Sequence, residues 1–272
     1  KFDRKTGKKT TLTTFESRPL GLKFDSLGNI IVLNGGNGGG LHRVSKDGKV
    51  EDLVTEFDGK PFGLADDVDI ASDGTIYFTD ATDKFGFEDN SYDIIEQRPN
   101  GAFYAYDPST GKTKRLLDDM YFANGVALSK DESYVLINET AKYRVRRYWL
   151  KGEKKGTNDI FIDNLPAFPD GILRDDKGIF WISMISPRTQ ELDDLLDNSF
   201  MKKVLLRLPK SMHPAPVPFC FALGVDENAK VIHNLQATNP TFTSITNIVA
   251  FDEKLYFGTL VDNAIGRVDY PK

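Results

Sequence analysis

The chain has 272 residues, of which 40% are hydrophobic and 28% charged, a composition typical of a folded globular protein. Lys and Arg number 35 against 40 Asp and Glu, so the formal charge of −5 gives no bulk attraction for nucleic acid, which is not an expected partner. The single cysteine, Cys220, excludes an internal disulfide and a thiolate zinc site.

The chain begins at Lys1 without a methionine, and no stretch of it is apolar enough to span a bilayer. We expect natural sequence upstream to have been removed, and we expect membrane association only through such a segment. Cytoplasmic, periplasmic and membrane-anchored locations are therefore all compatible with the sequence.

One hairpin pattern recurs along the chain: two alternating apolar positions, a polar turn about six residues on, and a second β-rich strand. In chain order, its copies begin at Leu20, Asp66, Asn124, Asp170 and Asn247. Third and fourth strands follow several copies, and the first four copies lie 46, 58 and 46 residues apart, as the blades of a β-propeller do.

These repeats predict an all-β fold, a single six-bladed β-propeller domain over residues 1–272 with four antiparallel strands per blade. Residues 1–15 carry a turn between short strands, and we expect them to be the outer strands of a first blade that is incomplete in this chain. A hairpin at 221–235 is either a short blade of its own or the outer half of the blade that begins at Asp170.

Two segments, 84–101 and 187–219, interrupt the repeat. The first is rich in acidic and aromatic residues and has no hairpin pattern. The second has Leu192, Leu195 and Leu196 at helical spacing and then a proline-rich stretch. Both are either long surface connections or a lid over one end of the central tunnel.

The strings RPLGL at 18–22, FANGV at 122–126 and FPDGI at 168–172 resemble the strictosidine synthase-like propellers, and those of the adipocyte plasma membrane-associated protein type most of all. More distantly, the chain is similar to the gluconolactonase, regucalcin and paraoxonase propellers. The resemblance runs along essentially the whole chain in the same order. It implies that a family calcium ligand, a glutamate of blade one, would lie before Lys1.

Asn124 and Asp170 each stand before a glycine at the start of an inner strand. Inner strands line the axis of a propeller, so these side chains should converge, and carboxylate and amide oxygens suit calcium. The following glycines would let backbones approach closely. The spacing alone leaves open that Asn-Gly and Asp-Gly are simply turns, although each copy has a turn of its own further on. The resemblance implies that both residues are metal ligands.

Asp66 begins the pair Asp66-Asp67 where the related propellers usually have Asn-Asp. Its carboxylate could bind the metal or accept a proton, as could Asp170, or it could belong to a solvated acidic turn. The equivalent position in the first full copy is Leu20, which cannot bind a metal. The chain's histidines stand at no inner-strand start, so we expect packing or surface roles for them: His42, His213 and His233.

These residues predict a hydrolase of esters or lactones that acts on a small-molecule substrate in the central tunnel and depends on calcium or another divalent cation. The alternative is a non-catalytic propeller that binds a small molecule or a protein partner. The resemblance also raises a second reaction, the condensation of an amine with an aldehyde. Strictosidine synthase performs it with a glutamate near the start of the last inner strand as the base. Residues 244–248 read SITNI and contain no carboxylate, so the sequence disfavours that activity.

Overall fold

The computed structural model describes residues 1, 3, 5–36, 39–237 and 241–272. In this part of the chain, five antiparallel sheets are present, and in each the strands follow one another in chain order. The first sheet contains β1 to β4, at Arg18–Phe24, Ile30–Gly35, Gly40–Val44 and Val50–Val54. A two-stranded ribbon follows, with β5 and β6 at Glu56–Phe57 and Lys60–Pro61.

The second sheet contains β7 to β10, at Ala65–Ile70, Ile76–Asp80, Gly101–Asp107 and Lys112–Met120. The third contains β11 to β14, at Ala123–Leu128, Tyr134–Glu139, Arg144–Trp149 and Asn158–Ile162. The fourth contains β15 to β18, at Ala167–Arg174, Phe180–Pro187, Cys220–Val225 and Val231–Ala237. The fifth contains the three strands β19 to β21, at Ile245–Phe251, Lys254–Thr259 and Gly266–Asp269.

The turns of several predicted hairpins depend on glycine. Gly28, Gly74 and Gly178 lie between the first two strands of their sheets and adopt φ angles of 80°, 89° and 86°. Glycine takes this left-handed conformation without the steric cost that a Cβ atom imposes. Asp73 adds a hydrogen bond by accepting from the backbone N–H of Thr75 at 2.8 Å. The local sequence therefore specifies these turns, independently of how the sheets pack on one another.

The sheets are arranged as the blades of a propeller. Their first strands pack side by side in the order β1, β7, β11, β15 and β19. The hydrophobic core is divided into layers, each of which lies between two neighbouring sheets. One layer contains Phe78 and Tyr104 with Ile31 and Leu33 of the preceding sheet, and the fully buried Phe180 lies in another.

The predicted count of six blades is wrong: the described residues form five. The error lies in residues 1–15, which contribute no strand to these sheets within the described part; Phe2 and Arg4 lie outside it. The Lys1 ammonium donates to the carbonyl of Thr10 at 2.6 Å, so the segment folds back locally. Further on, Phe15 packs against His42 of the first sheet, with ring centroids 5.5 Å apart. This segment therefore packs against an existing sheet instead of beginning another.

The hairpin at 221–235 is the outer half of the fourth sheet. Strand β17 pairs with β16, and β18 pairs with β17, so both extend the blade that begins at β15. Of the two interpretations that the sequence left open, the separate short blade is excluded.

The two insertions are largely helical. Helix α1 spans Asn90–Glu96, α2 spans Gln190–Asp197 and α3 spans Ser199–Leu205. The predicted helical segment is broken at Asn198, whose side chain accepts from the N–H groups of Phe200 and Met201 and so caps α3. Ile95 of the first insertion packs with Leu196 and Leu205 of the second. No helix within the described residues has the length and apolar character needed to cross a membrane.

Candidate functional site

Every inner strand carries the same irregularity where the predicted site residues lie. In β7, Ala65 pairs with Asp80 and Val68 with Phe78, so residues 66 and 67 together oppose Thr79. Such two-against-one β-bulges bend a strand and redirect its side chains. The pairing gives equivalent bulges in the five inner strands, at 20–21, 66–67, 124–125, 170–171 and 246–247. The repeated site position is therefore built by a bulge.

This pairing decides two questions from the sequence. Asn124 and Asp170 lie within β11 and β15, so the turn interpretation of Asn-Gly and Asp-Gly is wrong. In the fifth sheet, Ile248 pairs with Phe257 as Val68 pairs with Phe78. The first bulge residue of that strand is therefore Thr246, one residue before the Asn247 at which the sequence repeat was placed.

Polar side chains of the second strands hold the bulges in place. The hydroxyl of Thr79 donates to the carbonyl of Asn124 at 2.8 Å and accepts from the N–H of Asp67 at 3.1 Å. In the third sheet, the amide of Asn138 donates to the carbonyl of Asp170 at 2.7 Å. In the fourth, Ser183 donates to the carbonyl of Thr246 at 2.9 Å. Each sheet thus fixes the backbone of the site residue on the next sheet.

Glycine permits the close approach of neighbouring inner strands, as the sequence predicted. A Cβ atom on Gly125 would lie 2.4 Å from the backbone nitrogen of Ile172, and one on Gly171 would lie 2.4 Å from the carbonyl oxygen of Thr246. Gly21 is in the same situation, at 2.6 Å from the carbonyl oxygen of Asp66. Any side chain at these positions would push two inner strands apart and separate the site residues with them.

The bulges bring Asp66, Asn124 and Asp170 to one cavity of about 220 Å³, which we call the axial cavity, together with Thr246 and Leu20. All three predicted site residues therefore line the same space. Leu20 is the apolar member that the sequence predicted on one side of the tunnel.

The carboxylates of the axial cavity are in an environment that penalises their charge. Burial raises the pKa of Asp170 to about 8, with a contribution from the charge of Asp67. Burial, followed by the charges of Asp170 and Asp67, raises the pKa of Asp66 well above its ordinary value. No backbone or side-chain hydrogen bond from the described residues opposes the shift at Asp66. Asp66 lies within β7 and lines the axial cavity, so the interpretation that it belongs to a turn is wrong.

Asp67 has a structural role although it adjoins Asp66. Its carboxylate accepts from the backbone N–H of Val68 at 2.9 Å and from that of Val126, on the next sheet, at 3.0 Å. Burial raises its pKa to about 6, and these two hydrogen bonds oppose the rise. Oδ1 thus accepts within β7, and Oδ2 joins β7 to β11.

The oxygen atoms of the side chains that line the cavity fit a hard cation such as calcium, which takes about six to eight oxygen ligands. Asn124 donates through its amide nitrogen to Thr140 at 3.3 Å, which leaves its amide oxygen to the cavity. Three aspartates line the cavity, Asp66, Asp67 and Asp170, and the oxygens of Asp67 already accept backbone hydrogen bonds. Among the described lining residues, the only cationic side chain is that of Arg18. Within the described residues, no three Asp, Glu, His or Cys side chains are grouped to hold a metal. Amide and hydroxyl oxygens would therefore have to complete the coordination of a cation.

None of the three histidines lines the axial cavity. His42 lies 2.8 Å from a carboxylate oxygen of Asp52, and His233 stacks on Trp181 with ring centroids 5.3 Å apart. His213 contacts the carbonyl of Leu205 at 3.0 Å. These are the packing roles that the sequence predicted. The sequence did not single out Arg18 or Thr246 as cavity residues, because neither belongs to a recognisable chemical motif.

The chain is similar to known proteins over most of its length. The family model for strictosidine synthase matches residues 66–153. The strictosidine synthase-like 4 protein of Arabidopsis thaliana is 35% identical over 257 residues, which cover 94% of this chain and 68% of the relative. The chain belongs to the strictosidine synthase-like family. Adipocyte plasma membrane-associated protein of Rattus norvegicus is 34% identical to this strictosidine synthase-like chain over 200 residues, which cover 70% of it and 53% of the rat protein.

Solved structures share the fold of this strictosidine synthase-like chain at low sequence identity. A gluconolactonase of Xanthomonas campestris has a TM-score of 0.62 and 17% identity, over 89% of this chain and 69% of its own. The calcium-binding protein regucalcin of Agrobacterium tumefaciens has a TM-score of 0.60 and 14% identity, over 91% and 71%. The predicted membership of the strictosidine synthase-like family is confirmed, and the predicted likeness to gluconolactonase and regucalcin is confirmed at the level of the fold.

Proposed function

We propose that this strictosidine synthase-like propeller hydrolyses esters or lactones at the axial cavity and depends on calcium. The observation that carries the proposal is the meeting of Asp66, Asn124 and Asp170 at one cavity. Structural likeness to a gluconolactonase supports the reaction class, and likeness to a calcium-binding regucalcin supports the cation. Condensation of an amine with an aldehyde is not proposed, because residues 244–248 provide no carboxylate.

We assign Asp170 and the amide oxygen of Asn124 to calcium, with Asp66 as a further ligand or as the proton acceptor. Calcium, when bound, supplies positive charge that polarises the substrate carbonyl and favours the ionised form of the nearby carboxylates. Asp66 suits proton transfer because its pKa is raised, and a base is most effective when its pKa approaches the working pH.

In the proposed hydrolysis, a side chain of the protein accepts the proton and then releases it. The oxygen of a water molecule bonds to the carbonyl carbon, and Asp66 takes one of its protons. The bond from that carbon to the alcohol oxygen breaks, and the proton passes to the departing oxygen. Asn124 and Asp170 keep their orientation throughout, because Thr79 and Asn138 hold their backbone carbonyls.

The two insertions form a lid in this proposal. Phe87, Asn90 and Ile94 of the first insertion line the axial cavity. The second insertion supports the first through an ion pair of 2.6 Å between Lys210 and Asp89. Such a cover limits the access of bulk water to the reacting carbonyl, which strengthens electrostatic interactions within.

The test is hydrolysis of phenyl acetate and of δ-valerolactone, with calcium and with a chelator. We expect chelation, and separately the change Asp170→Asn or Asn124→Ala, to lower kcat/KM on the order of 100-fold. Bound calcium, measured by elemental analysis, should fall in the same variants.

Asp163→Asn is the matched control, because Asp163 is exposed and lies away from the cavity. It should retain both the calcium and the activity. Activity that is indifferent to chelator and unchanged in Asp170→Asn would rule out the proposal. Calcium binding without turnover would favour the alternative, a non-catalytic propeller. The apolar side chain of Leu20 at one of the repeated site positions is consistent with that alternative.

A further inference from the structure

The axial cavity has a second layer of side chains between its acidic layer and the lid. Arg18 and Leu20 lie two residues apart on β1, and Leu64 and Phe122 immediately precede β7 and β11. The residues two positions before Leu20, Asp66 and Asn124 all line the cavity: Arg18, Leu64 and Phe122. Leu64 and Phe122 pack with Phe87 and Ile94 of the lid insertion. This second layer is therefore mainly apolar and lies on the side of the lid.

Arg18 is the exception in that layer: its side chain is cationic and solvent-exposed, and it has no ion-pair partner among the described residues. It is the one cationic side chain among the described residues that line the cavity. Its guanidinium lies over the ring of Phe87, with its central carbon 4.8 Å from the ring centroid. No Asp or Glu of the described part of the chain forms an ion pair with it; the ion pairs found involve other arginines: Arg43, Arg98, Arg115, Arg144, Arg146, Arg147 and Arg188.

We propose that Arg18 binds the carboxylate of the substrate, and that the substrate is an ester or lactone with an apolar body between that carboxylate and the reacting carbonyl. This assignment rests on the proposed function. A guanidinium has a planar fork of donors that matches a carboxylate. The ring of Phe87 holds the guanidinium at the cavity, and the N–H groups at the edge of the guanidinium stay available to a ligand.

The layers also set the length and polarity of the substrate. Arg18 lies two residues before Leu20, the position on β1 equivalent to Asp66 and Asn124, which is about 7 Å of backbone along the strand. That spacing matches the separation of the two carboxyl groups of adipate. Between them the substrate passes Leu64 and Phe122, where hydroxyl groups would lose hydrogen bonds to water without replacement. A polyhydroxylated sugar lactone is therefore a poorer fit than an aliphatic chain.

Binding tests the assignment without requiring turnover. The probe is the monoanilide of adipic acid, an amide analogue of a phenyl ester with a free carboxylate, and its methyl ester is the neutral counterpart. Isothermal titration calorimetry with calcium present should show the carboxylate form binding about 10-fold or more tightly than the methyl ester. Equal affinity for the two forms, or no binding of the carboxylate, would overturn the proposal.

Variants locate the effect at Arg18. Arg18→Gln should remove the preference for the carboxylate, and Arg18→Lys should retain part of it. Arg115→Gln is the matched control, because the Arg115 guanidinium also lies over an aromatic ring, that of Phe57, but away from the cavity. An unchanged preference in Arg18→Gln, with a native circular dichroism spectrum, would exclude the assignment.

Hydrolysis separates this proposal from the proposed function. Monophenyl adipate and its methyl ester should differ in KM for phenol release, and Arg18→Gln should bring their kcat/KM ratio towards 1. Carboxylate binding that depends on Arg18 without any phenol release would retain the binding site and reject the hydrolase. Equal hydrolysis of both esters, unaffected by Arg18→Gln, would retain the hydrolase and reject the binding site.

Discussion

At the residue scale, the second sheet contains a further buried carboxylate that shapes the cavity without lining it. Asp80 accepts from the backbone N–H of Leu64 at 2.7 Å and from that of Gly63 at 3.3 Å. It thereby fixes Leu64, which belongs to the cavity wall. Burial raises the pKa of Asp80 to about 7, and the two backbone hydrogen bonds oppose the rise. The folded chain therefore retains a proton that an unfolded chain releases near pH 4.

This difference predicts the pH dependence of stability. Because the folded-state pKa is the higher one, the free energy of unfolding should fall as pH rises from about 4 to about 7, by at most about 1.4 kcal/mol per pH unit for this group. Asp80→Asn keeps an oxygen for the N–H of Leu64 but cannot titrate, so its dependence on pH should be shallower. Urea unfolding at pH 5, 6 and 7 in chelator measures this. Parallel curves for the variant and the parent chain would contradict the shift.

At the element scale, three of the five inner-strand bulges contain a glycine: Gly21, Gly125 and Gly171. A Cβ atom on Gly125 would come within 2.6 Å of the carbonyl oxygen of Asp170, so β11 and β15 cannot both keep their positions. The bulges could not be recognised in the sequence, because an extra residue in a strand leaves no mark beyond a local break in alternation. What the sequence did show was the glycine beside Asn124 and Asp170, which we interpreted correctly as permitting close approach.

Gly125→Ala should therefore destabilise the fold by about 1–3 kcal/mol and should weaken calcium binding more than this loss alone explains. Gly86→Ala is the matched control, since nothing lies within 4 Å of its added Cβ and its φ of −81° suits any residue. Urea unfolding and calcium titration on both variants test the expectation. Equal stability of the two variants would show that the inner strands can separate without cost.

At the scale of the whole molecule, the two terminal sheets differ from the three between them. The middle sheets bury apolar side chains against neighbours on both sides. In the first sheet, Phe24 is 66% exposed and Leu27, at the turn after β1, is 74% exposed. In the last sheet, Phe251 is 58% exposed and Val268 is 44% exposed. Grouped apolar side chains of this kind promote self-association.

We expect the double change Phe24→Lys and Phe251→Lys to lower the binding of a hydrophobic dye and to lower self-association measured by sedimentation. The free energy of unfolding should change by no more than about 0.5 kcal/mol per site, because neither side chain is buried. Ile160→Lys is the control, since Ile160 is exposed on the third sheet, which has neighbours on both sides. Equal dye binding by the double variant and the parent would show that these faces are not responsible.

The sequence by itself determined the hairpins and the propeller architecture, because alternation and turn residues leave local patterns, and its motifs indicated the family by resemblance. It also predicted that Asp66, Asn124 and Asp170 converge, and the structure brings them to one cavity. Their metal-binding and catalytic roles stay a prediction. Only the tertiary structure decided that the described residues form five blades and that Asp66 lines the axial cavity while Asp67 joins two sheets. It also placed Arg18 at the cavity. Burial and the meeting of distant residues depend on how sheets pack, and local sequence does not contain that information.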